Sequence, residues 1–260
     1  MGRIKRQWHM IYRSLARWIV PGLRNAQYVY KETLRAYARP HCRWLDAGCG
    51  RGVLPEWMRN REREVVHPTH VIIGMDTNLP ALLDNNSVTW RVVGDLENAP
   101  FRPESFDLVS ANTVVEHLQD PESALAEVRR MLRPHGVFIF HTPNLLNYQT
   151  VLAAILPRGI KRWLIRHLEG REDTDIFPTH YRLNTAGRIQ TLSRRVGFKV
   201  RELLLVSSSA ETINLGPLVF FELVGIWILN RHLFRHWRSN IIAVLERIPN
   251  SAPGGSPPAP

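Results

Sequence analysis

The residues of this chain whose types and spacing could do chemistry begin with the run Asp46-Ala47-Gly48-Cys49-Gly50-Arg51-Gly52. It follows the short apolar stretch Arg43-Trp44-Leu45 and precedes a stretch that reads as helix. Glycines carry no Cβ, so a loop built from them can turn sharply and approach a ligand closely, as nucleotide-binding loops do. The dinucleotide pattern G-x-G-x-x-G fits poorly: begun at Gly48 and Gly50, it needs Gly or Ala where the chain has Val53. Two further acids close later apolar runs. Asp76 ends Val71-Ile72-Ile73-Gly74-Met75, where a carboxylate can accept both hydroxyls of a ribose. Asp95 follows Val88 to Val93 and Gly94, where it can accept from an exocyclic amine. A single such Asp is readily a cap or turn residue. Three in succession after this loop set three carboxylates along the sheet edge where α/β folds bind ligands.

The elements that must position these residues alternate as a parallel sheet demands. Strands are expected at Arg43–Asp46, Val71–Asp76, Val88–Val93, Ser105–Ala111 and Val137–His141. Helices are expected over about Val53–Asn60 and over Pro121–Leu132, with a turn at Arg133-Pro134-His135-Gly136. A long interruption with helical periodicity follows, from Asn144 to Arg182. Asn184 then caps a helix to about Val196, stopped by Gly197, and Phe198–Val206 returns as a strand. A second interruption runs from Ser207 to about Arg238, and Asn240–Leu245 is a last strand. The expected fold is α/β, a doubly wound, mostly parallel, Rossmann-like sheet with helical insertions after strands 5 and 6. Residues 1–38 read as an amphipathic helical segment and 39–248 as the domain, with insertions at 144–182 and 207–238. The tail 249–260, mostly Pro, Gly, Ala and Ser, reads as disordered. A length of 260 residues suits one domain of the larger α/β kind. Cys42 and Cys49 are too few for a disulfide framework and lack metal-ligand spacing, which favours a reducing compartment.

Six stretches, in order, resemble the motifs of class I S-adenosylmethionine-dependent methyltransferases. They are Leu45-Asp46-Ala47-Gly48-Cys49-Gly50-Arg51-Gly52, Gly74-Met75-Asp76, Gly94-Asp95-Leu96, Phe106-Asp107-Leu108-Val109, Val115-Glu116-His117-Leu118 and Met131-Leu132-Arg133-Pro134-His135-Gly136. The likeness is to the subgroup that methylates small molecules, quinones, lipids and glycans, and it spans Arg43 to Asn144. It implies a seven-stranded sheet, with Ser239-Asn240-Ile241-Ile242-Ala243-Val244 similar to the antiparallel seventh strand. It implies S-adenosyl-L-methionine as cofactor, its methionine end held by Asp46, Gly48 and Gly50 with Cys49 in the same loop. By the same resemblance Asp76 holds the ribose, Asp95 with Leu96 the adenine, and Asn112 lies near the sulfonium. Thr179-His180-Tyr181-Arg182 followed by Asn184 resembles subgroup members with a substrate-covering insertion.

A sulfonium is already a strong electrophile, so an enzyme of this kind chiefly aligns the acceptor behind the methyl carbon. If the acceptor is a hydroxyl, a general base helps, and His is the usual choice. His117, His141 and His180 are the candidates; His117 and His180 are taken as the catalytic pair, although His117 could equally cap the helical region after the fourth strand. In ubiquinone-type O-methyltransferases a Glu three residues before the Glu-His pair completes a metal site. Thr113 stands there, ahead of Glu116 and His117, so no metal is expected.

The charge is unusual: 34 Lys and Arg against 23 Asp and Glu, a net +11, which suits a polyanionic partner. Three segments sort Trp and Arg beside apolar faces as interfacial helices do. The first carries Ile4, Trp8, Ile11, Tyr12, Leu15, Trp18 and Ile19 opposite Arg3, Lys5, Arg6, Arg13 and Arg17; the others are Leu152–Leu168 and Leu218–Arg238. Arg13 and Arg17 interrupt any secretory core, and Leu215–Leu229 is shorter than the roughly 20 residues of a spanning helix. The expected location is therefore cytoplasmic, with peripheral attachment to the inner face of the membrane. The expected reaction is methyl transfer, at oxygen, to a small-molecule, lipid-linked or glycan acceptor, with an anionic membrane surface as a further partner. The alternatives are an RNA methyltransferase, which the charge would suit but for which no added RNA-binding module or Asn-Pro-Pro-Tyr motif is present, and a non-catalytic cofactor-binding protein of the same fold.

Overall fold

A computed structural model describes residues 3–147, 178–207 and 219–249. In chain order the elements are α1 (Arg3–Ile19), α2 (Ala26–Tyr37), β1 (Arg43–Ala47), β2 (Val71–Asp76), α3 (Leu79–Leu83), β3 (Trp90–Val93), β4 (Phe106–Asn112), α4 (Pro121–Met131), β5 (Leu132–Pro143), α5 (Ala186–Val196), β6 (Phe198–Val206), α6 (Val219–Leu229) and β7 (Asn240–Arg247). The seven strands form one sheet in the order β3-β2-β1-β4-β5-β7-β6. β1 to β5 run parallel, and β7 lies antiparallel between β5 and β6. The order reverses beside β1 and β4, which makes the C-terminal ends of those strands the switch point of the sheet.

Alternate residues of each strand feed opposite layers, because side chains on a pleated strand point alternately to its two faces. Leu45, Val109, Phe138, Phe140 and Ala243 pack under α4 and α5 with Leu125, Val128, Ile189 and Leu192. Trp44, Leu108, Ile139, Ile242 and Val244 pack on the other face with Tyr30 and Leu34 of α2 and with Met58. Both faces are thus covered, as a parallel sheet requires.

Three local readings from sequence are corrected. The helix expected over Val53–Asn60 is a 3-10 run over Glu56–Glu64. Pro55 precedes it, Val53 and Leu54 are spent on the core, and the Glu62 carboxylate accepts from the Leu54 N–H. The Arg133–Gly136 turn lies within β5, an irregularity between the Phe106–Leu132 and Leu108–Val137 pairs, with His135 at a φ of 63°. The cap of α5 is Thr185, whose hydroxyl accepts from Arg188 N; Asn184 instead donates to Thr142 Oγ1 and the Pro143 carbonyl. The N-terminal segment forms two helices, and part of the apolar face of the first is covered: Tyr12, Leu15, Ala16, Ile19 and Val20 pack with Val219, Leu223 and Ile226 of α6, while Ile11 and Trp18 are exposed. Leu152–Leu168 and the tail beyond 249 lie outside the described residues.

Candidate active site

At the end of β1 the chain turns through Gly48 and Gly50, at φ of 64° and 47°. A Cβ on Gly48 would stand 2.3 Å from Val114 Cγ2, so this position combines a left-handed backbone with no room for a side chain. The loop is pinned from several sides. Gly48 N and Cys49 N donate to the Met75 carbonyl at 2.7 and 3.2 Å, and Asn85 Nδ2 donates to the Cys49 and Gly50 carbonyls. Gly50 N donates to Asp76 Oδ2 at 2.8 Å, while Asp76 Oδ1 accepts from Asn78 N at 2.8 Å. The carboxylate that closes β2 is therefore oriented by the loop it faces.

A cavity of about 430 Å³ opens beside this loop, a volume suited to a small molecule. Its lining includes six of the residues singled out from sequence: Gly48, Asp76, Asp95, Leu96, His117 and His180. Asp95 is exposed and caps a short turn, accepting from Glu97 N at 3.0 Å. Asp46, Cys49, Gly50 and Asn112 are not among the lining residues.

Asp46 is 2% exposed, and its carboxyl accepts from the Ser110 hydroxyl, which in turn accepts from Trp44 Nε1 at 2.7 Å. Burial pushes the Asp46 carboxyl up to about 8, with Glu62 and Asp76 adding to the effect and the Ser110 hydrogen bond opposing it. Cys49 is buried too, and burial raises its thiol well above the ordinary range, so it is no nucleophile. Asn112 forms a reciprocal amide pair with Gln27 of α2, at 3.1 and 2.9 Å, and its Oδ1 lies 2.9 Å from His141 Nδ1. His141 reaches Asn240 Oδ1 with its other nitrogen at 2.9 Å, and burial lowers its pKa to about 4. A neutral His141 has one N–H to give: with Nε2–H donating to Asn240 Oδ1, Nδ1 can accept from Gln27 Nε2 at 3.3 Å, which links β5 to β7 and α2, away from the cavity.

The segment that brings in His180 is stitched down by the 3-10 turn Val115–His117, which follows β4, and by β5. His180 N and Tyr181 N both donate to the Glu116 carbonyl, at 2.8 and 3.0 Å. His117 Nδ1 lies 2.9 Å from the Pro178 carbonyl, an acceptor, which fixes the proton on Nδ1 and the basic lone pair on Nε2. The buried Glu116 carboxylate accepts from Thr142, which accepts from Asn184 Nδ2 at 2.6 Å. Burial holds the Glu116 carboxyl above its ordinary value. Gln27, Val114, Thr142 and Asn184 were not singled out as site residues. Val114 had a signal, being apolar two residues past the end of β4; Gln27, 85 residues from Asn112, had none. Among the described residues no group of His, Cys, Asp and Glu could hold a metal ion.

Comparison with known proteins places this site in a family context. Residues 45–140 match the family model described as a methyltransferase domain. A probable S-adenosylmethionine-dependent methyltransferase of Mycolicibacterium smegmatis is 29% identical over 204 residues, 75% of this chain and 69% of that protein. A ubiquinone biosynthesis O-methyltransferase of Hahella chejuensis is 34% identical over 143 residues, 48% of this chain and 57% of that protein. Among solved structures, an S-adenosylmethionine-dependent methyltransferase from Mesorhizobium loti superposes with a TM-score of 0.53 at 17% identity, covering 83% of this chain and 96% of that one.

Proposed function

From a chain that is a class I S-adenosylmethionine-dependent methyltransferase, we propose that methyl transfer goes to an oxygen of a small-molecule, lipid-linked or glycan acceptor, by in-line attack on the sulfonium methyl. The observation that carries the reading is one cavity, at the switch point of the sheet, lined by Gly48, Asp76, Asp95, Leu96, His117 and His180. Its donor set suits the cofactor: two carboxylates that accept hydrogen bonds, one oriented for a ribose, beside a backbone with no side chain at Gly48. The oxygen preference draws on the ubiquinone O-methyltransferase likeness.

In this reading Asp76 accepts from the ribose, Asp95 and Leu96 hold the adenine, and Gly48 lets the methionine end approach the loop. Gly50 and Cys49 act through their backbone, by shaping the turn and orienting Asp76. Asp46 supports the loop from the buried side, and burial keeps its carboxyl largely protonated at neutral pH. The Asn112 amide is committed to Gln27 and His141, so its contact with a bound cofactor requires that pair to open. The bound cofactor supplies an electrophilic methyl group; the chain supplies position and a base. His117 presents Nε2 as the basic nitrogen, and His180, held by the Glu116 carbonyl, faces the acceptor. An acceptor with an apolar chain would be met at an anionic membrane surface by an enzyme working from the cytoplasm.

Calorimetric titration with S-adenosylmethionine tests the assignment. The wild type is expected to bind in roughly the micromolar range, and a folded Asp76→Ala protein is expected to lose binding. Unchanged affinity in that variant would overturn the cofactor site.

A further inference from the structure

α6 is apolar on two opposite faces. Val219, Leu223 and Ile226 pack on Ala16 and Val20 of α1. Phe220, Phe221, Trp227 and Ile228 stand on the other side, with Phe221 71% exposed. The pattern runs on into the 3-10 turn His232–Trp237, which buries no side chain and leaves Leu233 81% exposed. A helix lying on a domain surface normally turns a polar face to water, so this outer face is adapted to something other than water. Arginines frame it: the Arg231 guanidinium lies 4.4 Å from the centre of the Trp227 ring, and exposed Arg235 stands one turn later. Glu222 is the one acid from Val219 to Trp237.

We infer that this outer face of α6 and its turn dock the protein on an anionic bilayer, with the aromatic side chains among the lipid headgroups and the arginines on lipid phosphates. Exposed aromatics interleaved with arginine are the composition of the interfacial zone. At 11 residues α6 is too short to span, and no helix among the described residues is long and apolar enough to do so. Charge favours a bilayer over a second copy of the chain: in a symmetric dimer the patch meets itself, and Arg231 and Arg235 then find Glu222 as the one acid of that stretch to pair with. Exposed Leu233, Ile228 and Phe221 favour it over nucleic acid, which takes arginine but offers nothing to so many aliphatic and phenyl groups.

Placement gives the surface a purpose. Asn144, just past β5, donates through Nδ2 to the His236 and Arg238 carbonyls at 2.8 and 2.7 Å, and through its backbone N–H to Ser239. The turn is thereby fixed to the same sheet edge on which the cavity opens, so docking would bring that edge to the lipid. The geometry of the face stands independently, and it bears on the acceptor only through the lipid-linked reading proposed for the site.

Cosedimentation with vesicles tests this, using phosphatidylcholine alone and phosphatidylcholine with one quarter phosphatidylglycerol. The wild type is expected on the anionic vesicles, less so as salt rises, and only weakly on the neutral ones. Arg231→Gln and Arg235→Gln should each lower partitioning about fivefold. Phe221→Ser and Leu233→Ser, at positions that are largely exposed, should each lower it roughly tenfold with little change in urea midpoint. Wild type that binds S-adenosylmethionine but is not retained by anionic vesicles would overturn the docking surface and leave the methyltransferase reading intact. Vesicle binding without cofactor binding would do the reverse. A dimer abolished by Phe221→Ser, or RNA binding lost in Arg231→Gln, with no vesicle binding in either case, would assign the face to that partner instead.

Discussion

Asp46→Asn should make the protein more stable, and by more at each step from pH 5 to pH 8. The wild-type carboxyl is 2% exposed and is held at about 8 against an ordinary 3.8, chiefly by burial. A folded-state pKa above the unfolded one means that the folded protein keeps a proton that the unfolded chain releases. Stability is then fully present below 3.8 and is lost as pH rises towards about 8. The slope is about 1.4 kcal/mol per pH unit, and the whole window amounts to about 6 kcal/mol, a ceiling that relaxation and water entry around the ionised group would reduce. Asparagine keeps an acceptor for the Ser110 hydroxyl and does not titrate. Urea unfolding followed by tryptophan fluorescence at pH 5, 6, 7 and 8 should give a variant-minus-wild-type gap that widens by about 1 kcal/mol per unit. Curves separated by a constant gap would mean that Asp46 is ionised in the folded protein throughout, and that the buried-acid picture of this loop is wrong. The same proton has a functional counterpart. If the cofactor's ammonium group draws on Asp46, calorimetry near neutral pH in buffers of different ionisation heat should detect a proton released on binding, and none with Asp46→Asn.

Other substitutions separate the loop, the anchors and the base. Gly48→Ala should abolish cofactor binding and destabilise the fold by at least about 1–2 kcal/mol, because φ is 64° and the new Cβ meets Val114; Val114→Ala in the same chain should restore part of the stability in urea titrations. His141→Gln should lessen the loss of stability in acid. With His141 lowered to about 4 from 6.5, the unfolded chain takes up a proton that the folded one refuses. Wild-type stability from this group is therefore full above 6.5 and falls by about 3 kcal/mol as pH drops to about 4. Asp46 acts in the opposite sense over that interval, so the two slopes oppose each other there and each is read from its own variant-minus-wild-type difference. His180→Ala should lower turnover about 10²-fold or more without weakening cofactor affinity. A wild-type rate would remove it from the mechanism, and equal losses of rate and affinity would make it structural.

Local chemistry dictates the features that were legible in the sequence. The glycine loop, the Asp at the end of β2 and the alternating apolar strands each obey a rule of spacing, and β6 runs over Phe198–Val206 as its pattern indicates. Right-handed crossovers narrow the ways such alternating strands can be wound without choosing among them. Errors arise where two local rules compete. Thr185 and Asn184 are both capping residues, and burial decided between them: Asn184 is 1% exposed and its amide is needed by Thr142 and the Pro143 carbonyl, which leaves the cap to Thr185.

α1 was legible only in part, for a different reason. An amphipathic period reports that a face is buried, and says nothing about what buries it. Tyr12, Leu15, Ile19 and their neighbours are matched by α6, some 200 residues later in the chain. Ile11 and Trp18 are grouped with the apolar face by their period yet are exposed, Trp18 at 78%. α6 gives the complementary lesson. Its sequence, Val-Phe-Phe-Glu-Leu-Val-Gly-Ile-Trp-Ile-Leu, carries almost no amphipathic period, because both its faces are apolar. Only a structure in which α1 occupies one of those faces identifies the other as surplus to folding. The surplus face, not the amphipathic one, is where a requirement beyond stability is written into this chain.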